Sequence, residues 1–434
     1  MDYRGKRICA SLTWFEDSFQ PNIIIHIDNA GKIRSIDKNL DDPNANVLCL
    51  PNIALMPGFV NAHSHAFHRY LRGHSEIGTP GADNFWKWRD NMYRLLDDIT
   101  YDQLKQYCKG TFVEMLASGI TTVGEFHYVH HSGNSRFDLD GAVLDAATEA
   151  GIRLVLIETL YCRSGFQSSS LTEQQASFGS TIPEFIPHVE SLLDKISQIP
   201  DASLAIAAHS LRAVDIHDFT ELLKWSKTRH IPLHLHLEEQ PKEIEDCLAA
   251  HGTTPSQLLL RSMEGIASTA TLTAVHCTFT HRKELDELNA KGIHICVCPA
   301  TEGFLGDGIP TLNESDKICL GTDCNNRISF LEEMRWLCFC QNMKSNSRNC
   351  SELNAGKLIQ IATENGASSL GLGNHLGKFQ QGHFMDFIGF DLNSQRLRGF
   401  SSPQRLADAI VFGCGNTEVC ITGVSGQVKF HKNG

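Results

Sequence analysis

Residues 56–73 read MPGFVNAHSHAFHRYLRG, and the rest of the chain is best read outward from them. An apolar run, 54–60, stops just short of two histidines, His63 and His65, spaced two apart. On a strand, or just past its end, alternate residues point the same way, so both imidazoles can reach one cation. Such a pair is a weak signal alone, because Ser, Ala and His also fill loops. Its meaning depends on what the rest of the chain places beside it.

Seven further strand-like runs follow, at 120–124, 153–159, 203–208, 232–237, 272–275, 294–298 and 317–320. Helix-like stretches fill the gaps, among them 103–117, 140–149, 185–196, 215–227 and 282–291. Strands alternating with helices form a parallel sheet with helical crossovers, and eight such strands close a TIM-like (β/α)8 barrel. The expected fold is therefore α/β. At or just after the strand ends stand His63 and His65, Glu125, His127 and Tyr128, Tyr161, His209 and Arg212, His236 and Glu239, His276, Thr301 and Glu302, and Asp323. In a barrel these positions converge on one mouth. That register, with His236, His276 and Asp323 at later strand ends, turns the histidine pair into an expected metal site. Unrelated surface histidines would show no such register.

The chain ends carry a different pattern. Short β-rich runs occur at 23–27 and 31–36, and again at 386–390, 408–412, 419–423 and 427–430. Neither set is large enough to bury a face alone. The expected organisation is a small β-sandwich domain built from residues 1–55 and 376–434, around a barrel of residues 56–375.

Composition narrows the function classes. Among 434 residues, 41% are hydrophobic and 20% charged, as in an ordinary soluble globular protein. Net charge is -12 and the pI about 5.9, with no Lys/Arg block, which excludes nucleic acid as a partner. An anionic substrate would need specific arginines, because the overall field repels it. Fifteen cysteines form an odd set without a C-x-x-C pair, which reads as reduced thiols; Cys296, Cys298, Cys338 and Cys340 are expected to be buried. No secretory signal opens the sequence, and no apolar run reaches the roughly 18 residues of a membrane span. The expected location is the cytoplasm.

Seven runs carry a resemblance: PGFVNAHSHAFHRYLRG (57–73), DNFWKWRDNMYRL (83–95), VGEFHYVHH (123–131), AAHSLRAV (207–214), HLHLEEQPKEIEDCL (234–248), VCPATEGFLGDG (297–308) and GTDCNNRISFLEEMRWL (321–337). On them the chain resembles the formimidoylglutamate deiminases, in the deaminase branch of the amidohydrolase superfamily. The resemblance implies metal-dependent hydrolysis of N-formimidoyl-L-glutamate to N-formyl-L-glutamate and ammonia, a step of histidine degradation. It makes His63, His65, His236 and Asp323 the metal ligands and Glu239 the proton carrier. His276 becomes the group that positions and deprotonates the attacking water, with Asp323 sharing in the catalysis. His68, Arg89, Tyr128, His209 and Arg212 become the substrate contacts.

His209 stands after the fourth strand, where binuclear superfamily members need a carboxylated lysine, so one divalent ion is expected. Zinc suits the donors, and iron fits the same set. The expected partner is a small dicarboxylate, with a homodimer as the oligomeric form considered.

The implied roles agree with the chemistry. Attack on a C=N carbon makes a tetrahedral centre, and ammonia leaves only once its nitrogen is protonated. Glu238 is a rival proton carrier, but on a strand it would face away from the mouth. Two departures stand out: His68 replaces the Gln of the family pattern, and Cys324 with Asn325 replaces a Ser-His pair. His68 still donates a hydrogen bond, whereas Asn325 and Arg327, beside Asp323, are expected to bear on metal tuning or substrate choice. Two other readings stay open: a deaminase of a nucleobase or another imino or guanidino compound, and a non-catalytic scaffold on the same barrel.

Overall fold

Eight parallel strands follow one another around a ring: Phe59–Ser64, Ile120–His127, Arg153–Leu160, Ala202–Ser210, Leu233–Leu237, Leu272–His276, His294–Val297 and Ile318–Leu320. The computed structural model describes residues 1–38, 46–74, 84–133, 135–265, 271–313, 316–348, 352–400 and 402–432. These strands are almost wholly buried, which is why they read in sequence as near-continuous apolar runs rather than alternating ones. The ring is closed by a parallel bridge between Ser64 and Asp323. Around it lie helices such as Tyr101–Ala117, Asp140–Ala150, Ile182–Ile196, Ile216–Arg229 and Arg282–Ala290.

Local signals explain where the helices begin and end. Thr100 and Gln103 form a reciprocal capping box at the start of Tyr101–Ala117, and the Asp215 carboxylate accepts from the amides of His217 and Asp218 at the start of Ile216–Arg229. Such caps satisfy amides that have no partner within the helix. Asp140–Ala150 stops at Gly151, in the left-handed conformation that glycine adopts most readily.

The chain ends meet in one continuous sheet. In order across it run Gln427–His431, Val419–Val424, Phe387–Asp391, Val47–Pro57, Arg7–Phe15, Ile23–Ile27 and Ile33–Lys38, with Ser18–Gln20 paired to Arg7–Phe15. Val47–Pro57 joins the two ends: it pairs in parallel with Arg7–Phe15 and antiparallel with Phe387–Asp391. Its apolar core draws on both ends, with Ile8, Ile25 and Leu55 packed beside Met385, Phe387 and Ile421. A small β-sandwich built from both chain ends was expected; the strands of the two ends are hydrogen-bonded to one another in a single sheet.

Two sequence expectations fail here. The run at 54–60 is not one barrel strand, because Val47–Pro57 belongs to the small sheet and the barrel begins at Phe59. Gly58 makes the crossing possible, since a Cβ there would lie 2.2 Å from Thr121 Oγ1. The run at 408–412 is helical rather than extended: helix Pro403–Asp408 continues through Ala409–Gly413 as a wider turn. Leu406, Ile410 and Val411 bury one helical face, and the Arg335 guanidinium donates to the carbonyls of Val411 and Cys414 at its end. Cys296, Cys298 and Cys338 are buried, while Cys340 is half-buried. No helix among the described residues is long and apolar enough to cross a membrane.

Arg153, at the start of the third barrel strand, ties barrel to sheet. Its buried guanidinium donates to both oxygens of Asp386, at 2.8 and 3.0 Å, and to Ser425 Oγ at 2.8 Å, and pairs with Asp201 at 2.7 Å. Removing one partner of a buried pair strands the other charge, so Arg153→Met is expected to destabilise the fold by about 3–5 kcal/mol. Denaturant unfolding of parent and variant measures this; an unchanged midpoint would show that the pair does not hold the two parts together.

Candidate active site

The C-terminal ends of the barrel strands, with the turn Ala66–Leu71 and the helix Asn84–Leu96, deliver the expected side chains to one cavity. It is lined by His65, His68, Arg89, Tyr128, His209, Arg212, His236, Glu239, His276 and Asp323, together with Trp88, Met92, Tyr93, Tyr161, Phe178, Leu305 and Cys324. His63 lies at its floor, fully buried.

Several of these residues come from backbone that turns sharply. Glu238, His276, Cys277, Asp323 and Asn325 all have positive φ, between 43° and 73°. Non-glycine residues in that region cost of order 1–3 kcal/mol each and gather at functional sites. Here the turns re-aim residues at strand ends. Glu238 bends away, and its carboxylate accepts from the amide of Ser256 at 2.8 Å. Glu239, the next residue, is thereby left facing the cavity, 3.8 Å from His276 Nε2.

Four donors converge on one point. His63 Nε2 and His65 Nε2 each lie 3.4 Å from Asp323 Oδ1, and His236 Nε2 lies 3.2 Å from His63 Nε2. The opposite nitrogens of two rings are already engaged. His65 Nδ1 faces the carbonyl of Phe126 at 2.8 Å, and His236 Nδ1 faces that of His209 at 2.9 Å. A carbonyl can only accept, so each Nδ1 carries the proton and each Nε2 presents a lone pair toward the centre. Two imidazole nitrogens facing each other at 3.2 Å fit a cation between them better than they fit each other. The residues present therefore suit a divalent ion, which His63, His65, His236 and Asp323 would hold.

Electrostatics follow the same plan. Burial pushes His65 and His236 well below the usual imidazole range and lowers His63 too, keeping them neutral. Burial works against ionisation of Asp323, but hydrogen bonding from His63 and the surrounding imidazoles outweigh it and hold the carboxyl far below its ordinary value. Glu239 moves the other way, because burial raises its carboxyl and His276 only partly opposes this. Burial also disfavours charge on His276, yet Glu239, Glu302 and Asp323 lift it to about 10. Glu239 and His276 thus form a pair between which a proton is easily held.

At the substrate end, His68 Nε2 lies 2.9 Å from the Tyr128 hydroxyl. The Arg212 guanidinium makes no ion pair among the described residues; burial opposes its charge, and Glu243, Tyr161 and Glu239 outweigh that penalty. Arg89 stacks over the Tyr93 ring, 5.5 Å from its centroid. Gln175 donates to the hydroxyls of Tyr93 and Tyr161, at 3.2 and 3.1 Å. Tyr161 was legible as a strand-end residue, but Tyr93 and Gln175 come from stretches without such a signal.

Asn325 and Arg327 were expected to bear on metal tuning or substrate choice in the cavity. Neither lines it; Arg327 is exposed and paired with Glu332. Asn325 is buried at the seam of the barrel. Its Nδ2 lies 2.9–3.0 Å from Ser64 Oγ, His65 O and Asp323 O, and its Oδ1 accepts from Thr322 Oγ1. Cys324 alone of the departures beside Asp323 reaches the cavity. Asn325→Ala leaves these partners unmet and is expected to cost about 1–3 kcal/mol of stability, with a loss of bound metal. Arg327→Ala should stay within about 0.5 kcal/mol of the parent. Denaturation and metal analysis of both variants check this; equal stability would remove Asn325 from the seam.

A model of the amidohydrolase family matches residues 54–429. Formimidoylglutamate deiminase of Pseudomonas aeruginosa is 31% identical over 388 residues, covering 86% of this chain and 84% of that protein. The 5-methylthioadenosine/S-adenosylhomocysteine deaminase of Syntrophomonas wolfei is 26% identical over 356 residues, covering 80% and 75%. Among solved structures, an amidohydrolase from Brucella melitensis superposes with a TM-score of 0.87 at 28% identity, covering 98% of this chain and 96% of the other.

Proposed function

We propose that this chain, which belongs to the amidohydrolase family, is a hydrolase of C–N bonds that releases ammonia from N-formimidoyl-L-glutamate and leaves N-formyl-L-glutamate. The observation that carries the substrate is the Arg212 guanidinium, which faces the same cavity as Arg89 and the converging imidazoles with no ion pair of its own among the described residues. The substrate has two carboxylates, and guanidinium groups bind carboxylates through two parallel hydrogen bonds. A neutral nucleobase offers those arginines no charge to balance. The likeness to the Pseudomonas deiminase supports the same reading.

When bound by His63, His65, His236 and Asp323, a divalent ion such as zinc supplies the Lewis acidity that makes hydroxide available near neutral pH. His276 orients the attacking water, and Glu239 takes its proton. Oxygen bonds to the imino carbon, the C=N π pair moves to nitrogen, and Glu239 returns the proton there. The leaving nitrogen departs as ammonia once protonated, while the hydroxyl oxygen gives up its proton as the formyl C=O forms. One carboxyl serves as base and then acid, which suits a group whose proton affinity is raised by burial. Arg89 and Arg212 hold the glutamate portion, and Tyr128 with His68 frames the side nearest the imidazoles.

Ammonia release from N-formimidoyl-L-glutamate, before and after chelation, is the direct test. Turnover of guanine or cytosine with none of formimidoylglutamate would reverse the assignment. Glu239→Gln is expected to keep its metal and lose at least ~100-fold in activity, the usual share of a general acid–base; loss of metal would make Glu239 a ligand instead. Removing one partner of a desolvated charge pair costs about 2–5 kcal/mol, so Arg89→Met and Arg212→Met should each lower kcat/KM by roughly 30- to several-thousand-fold. Turnover within about threefold of the parent in both variants would discard the dicarboxylate.

A further inference from the structure

A second cluster of metal-capable side chains lies outside the cavity, between the barrel wall and its helices. His127 ends the second barrel strand, His130 follows three residues later, and Glu158 belongs to the third strand. Asp140 is the first residue of helix Asp140–Ala150, and His188 comes from helix Ile182–Ile196. Four of the five are at most 2% exposed, and the His188 side chain is 15% exposed.

Their donor atoms converge. Asp140 Oδ1 lies 3.0 Å from His127 Nε2 and 2.9 Å from His130 Nδ1, and Asp140 Oδ2 lies 2.7 Å from His188 Nε2. Glu158 Oε1 is 3.1 Å from His130 Nδ1 and 3.5 Å from His188 Nε2. Ligands bound at about 2.0–2.1 Å from one ion, at right angles to each other, stand about 3 Å apart.

Two independent observations point to an ion. Neither oxygen of the fully buried Glu158 carboxylate accepts a hydrogen bond of regular geometry among the described residues, and its charge partners there, His130 and His188, are themselves members of the cluster. His130 Nε2 faces the carbonyl of Thr159 at 2.8 Å, so that nitrogen carries a proton and Nδ1 is turned toward both carboxylates. This is the orientation by carbonyl seen at His65 and His236. With an ion bound, the imidazoles would serve as neutral ligands and its two positive charges would balance the two carboxylates.

We propose that His127, His130, His188, Asp140 and Glu158 form a second divalent transition-metal site, structural in role, that pins two helices and the loop after the second strand to the barrel wall. Imidazoles mixed with carboxylates suit zinc and its first-row neighbours better than calcium or magnesium.

The test is metal stoichiometry of the full chain, stripped with chelator, reloaded with excess Zn2+, desalted and measured by elemental analysis. Two equivalents per chain are expected for the parent and one for His236→Ala. Zn2+ should still raise the Tm of His236→Ala, because an ion bound only by the folded state stabilises it. Asp140→Ala and the milder His188→Ala should each fall from two equivalents to one, with the ion in the cavity retained. A parent holding one equivalent, with none in His236→Ala, would overturn the second site and mean that protons bridge the cluster. Two equivalents in both Asp140→Ala and His188→Ala would overturn it as well. Two equivalents in His236→Ala would instead fault the ligand assignment in the cavity, so the two readings fail separately.

Discussion

The closure of the barrel between its first and last strands is the constraint on which the mouth depends. The last strand, Ile318–Leu320, has only three residues, too few to hold the seam by regular pairing. The seam continues past it through His63 O, which accepts from the amides of Thr322 and Asp323 at 3.0 and 3.1 Å, and through the His65 amide, which donates to Asp323 O at 2.9 Å. Asn61 and Asn325 lace the same edge with side-chain hydrogen bonds. The bonds that close the ring therefore join the very residues whose side chains converge. Their spacing is set by the main chain rather than by rotamer choice, and a one-residue slip at the seam would turn Asp323 to the opposite face.

A second device recurs around the barrel. Backbone carbonyls of Phe126, His209 and Thr159 each fix one nitrogen of an imidazole and turn the other toward the cavity at His65 and His236 and toward Asp140 and Glu158 at His130. Because these carbonyls lie in or beside barrel strands, the rigidity of the sheet passes to the rings. Pre-organisation of this kind needs no extra side chains, and burial keeps the cavity imidazoles His63, His65 and His236 neutral. On the proposed reading, Arg89 and Arg212, which line the cavity, would supply the positive charge that an anionic substrate needs against the net charge of the molecule.

What was legible in the sequence follows from burial. Seven of the eight barrel strands were readable because a strand covered on both faces is an unbroken apolar run, and their polar ends marked the mouth. The run at 54–60 misled because Ala54–Pro57 and Phe59–Val60 are equally apolar, while Gly58 alone divides two sheets. The run at 408–412 misled because five residues are too few to tell a buried helical turn from a strand. Asn325 looked like part of the cavity from its place beside Asp323. Only the left-handed turn at Asp323 and Asn325 sends the two neighbouring side chains to different places. Gln175, which holds two tyrosine hydroxyls, comes from a short single turn, Glu173–Gln175, with no periodicity to announce it.

The strand Val47–Pro57 has a consequence for how the chain is made. It is flanked on one side by residues synthesised early and on the other by Phe387–Asp391, more than three hundred positions later. Until that segment leaves the ribosome, one edge of an apolar strand stays open, and open edges invite pairing with other chains. The barrel seam likewise waits for Thr322 and Asp323. Both closures are long-range contacts, which form slowly because a long loop must be ordered first. The nascent protein thus spends most of its synthesis with two unsealed edges, and its completion is a late, cooperative event in which the last strands to emerge finish the sheet that the first ones began.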